Sequence, residues 1–476
     1  VKSCETKRLS GKEIGWLVAL TLVAAVLRFH HLGEWPLFGD EVNTIVESRD
    51  FAWTGDTGER KTWTLSTNAF NHLLTGISYR IFGESLFSAR FFPALFGILA
   101  VPVFFLLLRR RFSRSVAFLT VLFITFSANH VFLSGFARYN AMLFFFGGAA
   151  FLTLLNGWME RSTIQLILGA ALALLAVFTH LTGILVVLGF LVFAAGSLVG
   201  APEARKKGWM RLALLVGAFL AAGILFRNDI LYVTRVIGRE FVGTGKGYPP
   251  MRLAGSIAYN DGIVYALFAV SAAVAAFVKR QAAPMAVALY WTVPFLLLVT
   301  ASRWMEVGPR YLHSVLPGFY LLAALGVYAL WSRLGRGKTA IMGGVCVLII
   351  TTQAPLFVSN WIDGGRYDTL SATRYLMEQR GGPIFAEGHM SYNYHSEGAL
   401  NATELPYTLD ELKRALAGCE SAFIVFPLQR GVPLGFIGRD YGRWLEKNCE
   451  LLRRFTRKRY DLMRYEVVVY RFNRPS

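Results

Sequence analysis

Apolar runs of about twenty residues recur along the first three-quarters of the chain, and no other feature limits the fold as much. They begin near Ile14, Phe91, Val116, Ala141, Ile164, Ile184, Leu212, Ile257, Met285, Leu312 and Ala340. A helix needs ~20 such residues to cross ~30 Å of hydrocarbon, and in lipid only helices and closed barrels satisfy their own backbone polar groups. Eleven runs of this length predict a polytopic α-helical membrane protein with about 11 transmembrane helices. Composition agrees. Of 476 residues, 54% are hydrophobic and 17% charged, too little polar surface to cover a soluble chain of this size. No small-residue cleavage pattern follows the first run, which reads as a retained span.

The formal net charge is +19. In a soluble protein that excess would suggest nucleic acid as a partner. Here the cations sit between apolar runs, where they set topology and meet anionic lipid, so membrane lipids are expected as partners and nucleic acid is not. Lys2, Lys7, Arg8 and Lys12 precede the first run. Arg109, Arg110, Arg111 and Arg114 follow the second, and later alternate loops carry Arg205-Lys206-Lys207, Lys279-Arg280, then Arg333, Arg336 and Lys338. With eleven spans all of these fall on one side. The positive-inside bias makes that side cytoplasmic, which puts the N-terminus in and the C-terminus out, in a cell inner (plasma) membrane. The long outer segments are then 33–90, 227–259 and 358–476. Acidic residues avoid the runs; Asp261 is the main exception and is expected at an outer membrane edge. Chemistry is therefore expected at the outer surface.

Residues 358–476 change character. Residues 371–379 read as a helix and 383–386 as a strand. Thr408-Leu409-Asp410-Glu411 opens a second helix with a capping box, and 422–426 and 467–470 read as strands. The pattern predicts a small extracytoplasmic α/β domain after a membrane module of residues 1–357. The domain shows no metal-ligand spacing, nucleophile elbow or phosphate loop, and His389 and His395 read as surface or packing histidines. Cys419 and Cys449 either pair or remain two buried thiols; spacing leaves both open.

The first outer segment reads Gly33-Glu34-Trp35-Pro36-Leu37-Phe38-Gly39-Asp40-Glu41. Neighbouring residues do not share a face of a helix or strand, so one carboxylate can face a site while the other braces the loop or a cation. Taken alone, the pair also fits a solvated acidic turn. Asp40-Glu41 just outside a first transmembrane helix resembles the signature of the membrane glycosyltransferases of the C-type fold, the group of the protein O-mannosyltransferases and lipid A aminoarabinose transferases. The similarity continues in order through Ile81-Phe82-Gly83-Glu84-Ser85, Ala89-Arg90-Phe91-Phe92-Pro93, Ser134-Gly135-Phe136-Ala137-Arg138-Tyr139, Thr179-His180-Leu181-Thr182-Gly183 and Pro309-Arg310-Tyr311-Leu312 with Pro317. It covers about residues 17–326 and fades beyond. One departure stands out. Many relatives have a His-Pro-Pro-Leu-like stretch where this chain has Asn68-Ala69-Phe70-Asn71-His72-Leu73, which leaves the acceptor class open.

The resemblance implies transfer of one sugar from a polyprenyl-phosphate donor to a lipid, glycan or protein acceptor. It implies Asp40 as general base, with Glu41 as its partner or as a ligand of a divalent metal. A phosphate leaving group needs cations more than a proton donor. Arg138, His180 and Arg310 at outer span edges are the expected phosphate-binding residues, with Tyr311 beside them and Arg303 and Lys246 as further candidates. Glycine-dense 243–250 reads as a flexible connector, with a flap over the donor as the alternative. A transporter or flippase for a lipid-linked sugar is the rival reading. It predicts internal repeats and ionisable residues at mid-membrane, and neither stands out. A non-enzymatic scaffold gives no reason for an acidic pair with outer-edge cations. The Trp-Trp-Asp motif of oligosaccharyltransferases is missing.

Overall fold

The structure is a computed structural model. It describes residues 9–37, 41–54, 69–199, 205–225, 227, 231, 255, 257, 261–303, 309–334, 338–364, 367–379, 381–429, 432–433, 439–457 and 465–474. Asp40, Lys246, Cys4 and the glycine-dense 243–250 lie outside the described residues.

A helix lies on each of the eleven apolar runs. In chain order these are α1 (Gly11–Phe29), α4 (Leu86–Leu108), α5 (Arg114–Thr125), α7 (Asn140–Glu160), α8 (Thr163–Thr179), α9 (Ile184–Val199), α10 (Arg205–Leu225), α11 (Ile263–Val278), α12 (Ala282–Ala301), α13 (Leu316–Arg333) and α14 (Lys338–Asp363). The first outer segment adds α2 (Glu41–Thr54) and α3 (Ala69–Phe82), and a short α6 (Ala128–Ser134) follows α5. Among the described residues, four helical stretches are long and apolar enough to cross a membrane: Leu86–Leu108, Asn140–Glu160, Leu181–Val199 and Ala282–Ala301. A fifth is the pair α5 and α6, bent by 59°.

Serines set where these helices begin. Ser10, Ser85, Ser113, Ser127 and Ser162 are N-caps whose side chains accept from backbone N–H groups of the first turn. Ser127 also explains the bend, since after the α5 C-cap Phe126 its extended backbone restarts the chain as α6. Glycines set how closely the helices approach, as expected where association in lipid relies on backbone packing. A Cβ at Gly147 would strike the Ser314 carbonyl, and one at Gly326 the Phe268 carbonyl. The outside of the bundle is apolar: Trp16, Leu22, Ile164, Leu214, Leu267 and Leu296 are all exposed. Such a surface needs lipid, not water, around it.

The chain divides into two compact units, residues 1–32 with 48–354, and residues 33–47 with 355–476. The second contains a six-stranded sheet: β1 (Ile384–Ala386), β2 (Thr403–Glu404), β3 (Ser421–Gln429), β4 (Val432–Pro433), β5 (Cys449–Arg457) and β6 (Tyr465–Asn473), in the order β2-β1-β3-β6-β5 with β4 on β3. β1 pairs in parallel with β2 and β3, and the remaining pairs are antiparallel. The central strands are covered on both faces. Phe423, Val425, Val467 and Val469 face one core with α15 (Thr369–Glu378); Ala422, Ile424, Phe426 and Val468 face another with α17 (Leu409–Leu416) and α18 (Arg439–Asn448). Burial on both sides is why 422–426 is continuously apolar in place of alternating. The short α16 (His389–His395) completes the element order. Thr408 caps α17 in a capping box with Glu411, as its sequence predicts. His389 pairs with Glu404. Cys419 and Cys449 are free thiols, the second of the two readings open in the sequence, and burial pushes the Cys449 thiol up to about 11.

Candidate active site

Three chain turns meet at one end of the first unit: the start of α7, the turn from α8 to α9, and the segment before α13. Each is positioned by a local device. Tyr139 occupies the N-cap position of α7. His180 ends α8 with extended backbone, followed by one 3-10 turn, Leu181–Gly183. Gly183 has no substitute there, because a Cβ would overlap the backbone of Ala176. Pro309–Leu312 forms another 3-10 turn. Polar contacts then tie the turns together. His313 Nδ1 lies 3.1 Å from Asn140 Oδ1, the Ser314 hydroxyl donates to the Thr182 carbonyl at 3.0 Å, and the Tyr290 hydroxyl donates to the Ser314 carbonyl at 2.5 Å.

These turns build a stack of three rings between two arginines. The Tyr139 and His180 rings are parallel within 19° at 4.0 Å between centroids, and His180 and Tyr311 stack at 6.0 Å. The Arg138 guanidinium lies 5.3 Å from the Tyr139 ring centre, and that of Arg310 lies 5.5 Å from the Tyr311 ring centre. Cations over ring faces are held by the ring quadrupole. Arg138 is half-buried and Arg310 exposed.

His180 is held neutral. Its Nδ1 accepts from the Thr182 N–H at 3.2 Å and lies 2.8 Å from the Thr182 hydroxyl. With Nδ1 as acceptor, the ring proton is assigned to Nε2. Burial, reinforced by Arg138, Arg310 and His313, lowers the His180 pKa from 6.5 to about 3. Burial and Arg310 lower that of His313 likewise, to about 3. His180 therefore offers a directed N–H, not a positive charge, and the cationic work falls to Arg138 and Arg310. Burial also raises the Tyr139 phenol, while Arg138 hydrogen-bonds to it. Two guanidinium groups, one N–H donor and two phenols in one cluster suit a phosphate oxyanion.

Of the residues expected from sequence, Arg138, His180, Arg310 and Tyr311 come together. Arg303 is exposed just past the end of α12 and is outside the ring stack. Lys246 and the expected base Asp40 lie outside the described residues. Glu41 opens α2 and is fully buried. Among the described residues no three His, Cys, Asp or Glu side chains converge as a metal site. Tyr139, Thr182 and His313 were not expected from sequence, although each lies within two residues of one that was. The partners of Asp261 were not expected either. That carboxylate is buried, where it accepts from the Tyr320 hydroxyl at 2.5 Å and from Asn129 at 3.1 and 3.2 Å.

Comparison with known proteins agrees with this architecture. Residues 70–226 match the family model described as Dolichyl-phosphate-mannose-protein mannosyltransferase. No curated protein matches the sequence. ArnT from Cupriavidus metallidurans superposes with a TM-score of 0.57 at 14% identity, covering 96% of this chain and 98% of that one. The same protein bound to undecaprenyl phosphate gives 0.55 at 15% identity over the same shares. The oligosaccharyltransferase AglB from Archaeoglobus fulgidus, in complex with an inhibitory peptide and a dolichol-phosphate, gives 0.60 at 13% identity, covering 86% of this chain and 69% of that one. The chain has the C-type membrane glycosyltransferase fold and is a multi-pass membrane protein.

Proposed function

We propose that the chain is an inverting glycosyltransferase that moves one sugar from a polyprenyl-phosphate donor to an acceptor at the outer face of the cytoplasmic membrane. The observation that carries this reading is the stack of Tyr139, His180 and Tyr311 between Arg138 and Arg310. It is an anion-binding cluster in a fold shared with a protein solved with undecaprenyl phosphate. The eleven apolar runs of the sequence and the alternation of basic loops support a cytoplasmic N-terminus. On this reading residues 358–476 are an outer α/β domain after a membrane module of residues 1–357.

In the reaction, an acceptor hydroxyl or amine attacks the anomeric carbon. Its proton passes to the Asp40 carboxylate, and the bond from the anomeric carbon to the phosphate oxygen breaks. The electron pair leaves on the polyprenyl phosphate, where Arg138, Arg310 and the His180 Nε2–H stabilise it. Asp40 then returns the proton to water. Glu41 would brace the base or help hold a divalent metal. One base opposite one leaving group makes this a direct displacement. NMR assignment of the product linkage from a donor of known anomeric configuration tests it: inversion is expected, and retention contradicts the mechanism. Transport without transfer is the rival reading, and no specific observation favours it.

A further inference from the structure

At the end of the bundle opposite the ring stack, the first unit holds a cavity of about 520 Å³ between α1, α4, α5, α13 and α14. We propose that it binds one anionic glycerophospholipid, an acyl chain inside and the phosphodiester at Arg114. The walls are apolar, with Trp16, Leu20, Phe118, Leu122 and Trp331 among them. Their size and character match sites that enclose a small ligand. Trp16 and Trp331 lie near the ends of their helices, the level at which tryptophan marks the membrane–water boundary. A chain entering between them comes from the bilayer.

Charge chooses the headgroup. Arg114 lines the rim, and its Nε lies 3.1 Å from Glu13 Oε1. A guanidinium carries five N–H donors, so the pairing at Nε leaves its terminal nitrogens to face a phosphate. Glu13, the one carboxylate in the described lining, is acted on by Arg109 as well as Arg114, and the same turn of chain carries Arg110 and Arg111. Glu160 is committed to Arg111 at 2.7 Å and Arg110 at 3.9 Å. The rim is therefore positive overall, and a zwitterionic headgroup gains less there than one with net negative charge. The donor's phosphate has its own cluster at the other end, and this cavity needs a lipid that resides in the opposite leaflet.

The test uses the full chain in mild detergent, stripped of lipid and titrated with phosphatidylglycerol or phosphatidylcholine under native mass spectrometry. One phosphatidylglycerol should bind per chain at lipid levels where phosphatidylcholine does not. Gly343 lines the cavity and has open space where its Cβ would be, so Gly343→Phe should fill the cavity and lose that adduct. Arg114→Gln should lose the preference for phosphatidylglycerol. Should either variant fail to fold, the wild type decides: Cys346, also in the wall, should react with N-ethylmaleimide more slowly in phosphatidylglycerol than in phosphatidylcholine. Equal binding of the two lipids, an adduct that survives Gly343→Phe, or equal Cys346 rates overturns the proposal. So does selective retention of a polyprenyl phosphate in place of the two-chain lipid.

Discussion

His180 couples the cluster to pH. Its pKa falls from 6.5 when exposed to about 3 in the folded chain, so the unfolded chain takes up a proton that the folded one refuses. The stability it carries is complete above pH 6.5 and is lost as pH falls toward 3. His313 has the same sign. Thermal melting of the detergent-solubilised chain should therefore weaken across that window, and His180→Phe, which keeps the ring, should weaken less; equal slopes would contradict the assignment. Arg138 is the half-buried cation of the pair, and Arg138→Ala should weaken donor binding. Removing a hydrogen bond to a charged group costs about 1.5–3 kcal/mol, roughly ten- to a hundredfold in affinity. A titration with polyprenyl-phosphate sugar measures it, and unchanged affinity would make Arg138 a lipid-facing anchor. At this scale the sequence disclosed identity and neighbourhood but not protonation. Arg138, His180 and Arg310 stood out because cations and imidazoles at apolar span edges are few. That His180 is neutral depends on its burial beside Arg138 and Arg310, and its tautomer on Thr182 folding back onto Nδ1; no spacing announces either.

The helices were legible wherever lipid selects them. Each long apolar run became a helix because no other backbone satisfies itself in hydrocarbon. α2 and α3 were not legible, since Glu41–Thr54 mixes polar and apolar residues without a clear face. The bend at Ser127 was also invisible, as its cap lies inside an apolar run. Between helices, glycine contacts decide the packing. Gly326→Leu would drive a side chain into the Phe268 carbonyl and push α11 from α13, an overpacking that costs about 1–3 kcal/mol. Gly15→Leu, on an exposed face with open space around it, should leave melting unchanged; equal effects would show that the α11–α13 contact is not close-packed. Asp261 joins three elements through Tyr320 and Asn129. Asp261→Asn keeps both acceptances on an amide oxygen and should melt like wild type. Asp261→Ala takes the acceptor from the half-buried Asn129 amide and leaves the Tyr320 hydroxyl with Ser127 alone, a loss of about 1–3 kcal/mol. Similar losses in both variants would mean that the charge, not the hydrogen bonds, holds the site.

For the whole molecule, the ordered set of short motifs pointed to the C-type fold, and the family match and the superpositions on ArnT and AglB agree. The C-terminal sheet was legible strand by strand at 383–386, 422–426 and 467–470, but its order was not, because pairing joins residues far apart in sequence. Asn71 and His72 were illegible for a comparable reason: both are buried at the start of α3, where His72 Nδ1 meets the Ser48 hydroxyl at 2.9 Å from 24 residues away. The central claim is that a carboxylate beside the first helix deprotonates the acceptor while the arginines hold the phosphate. Asp40→Asn keeps the shape and removes the base, an effect worth roughly 10²–10⁴-fold. The decisive measurement is sugar transfer from a radiolabelled polyprenyl-phosphate donor to a cell-envelope extract, read beside donor binding in the same preparation. Loss of transfer with donor affinity intact is the predicted result; wild-type turnover from Asp40→Asn would contradict it.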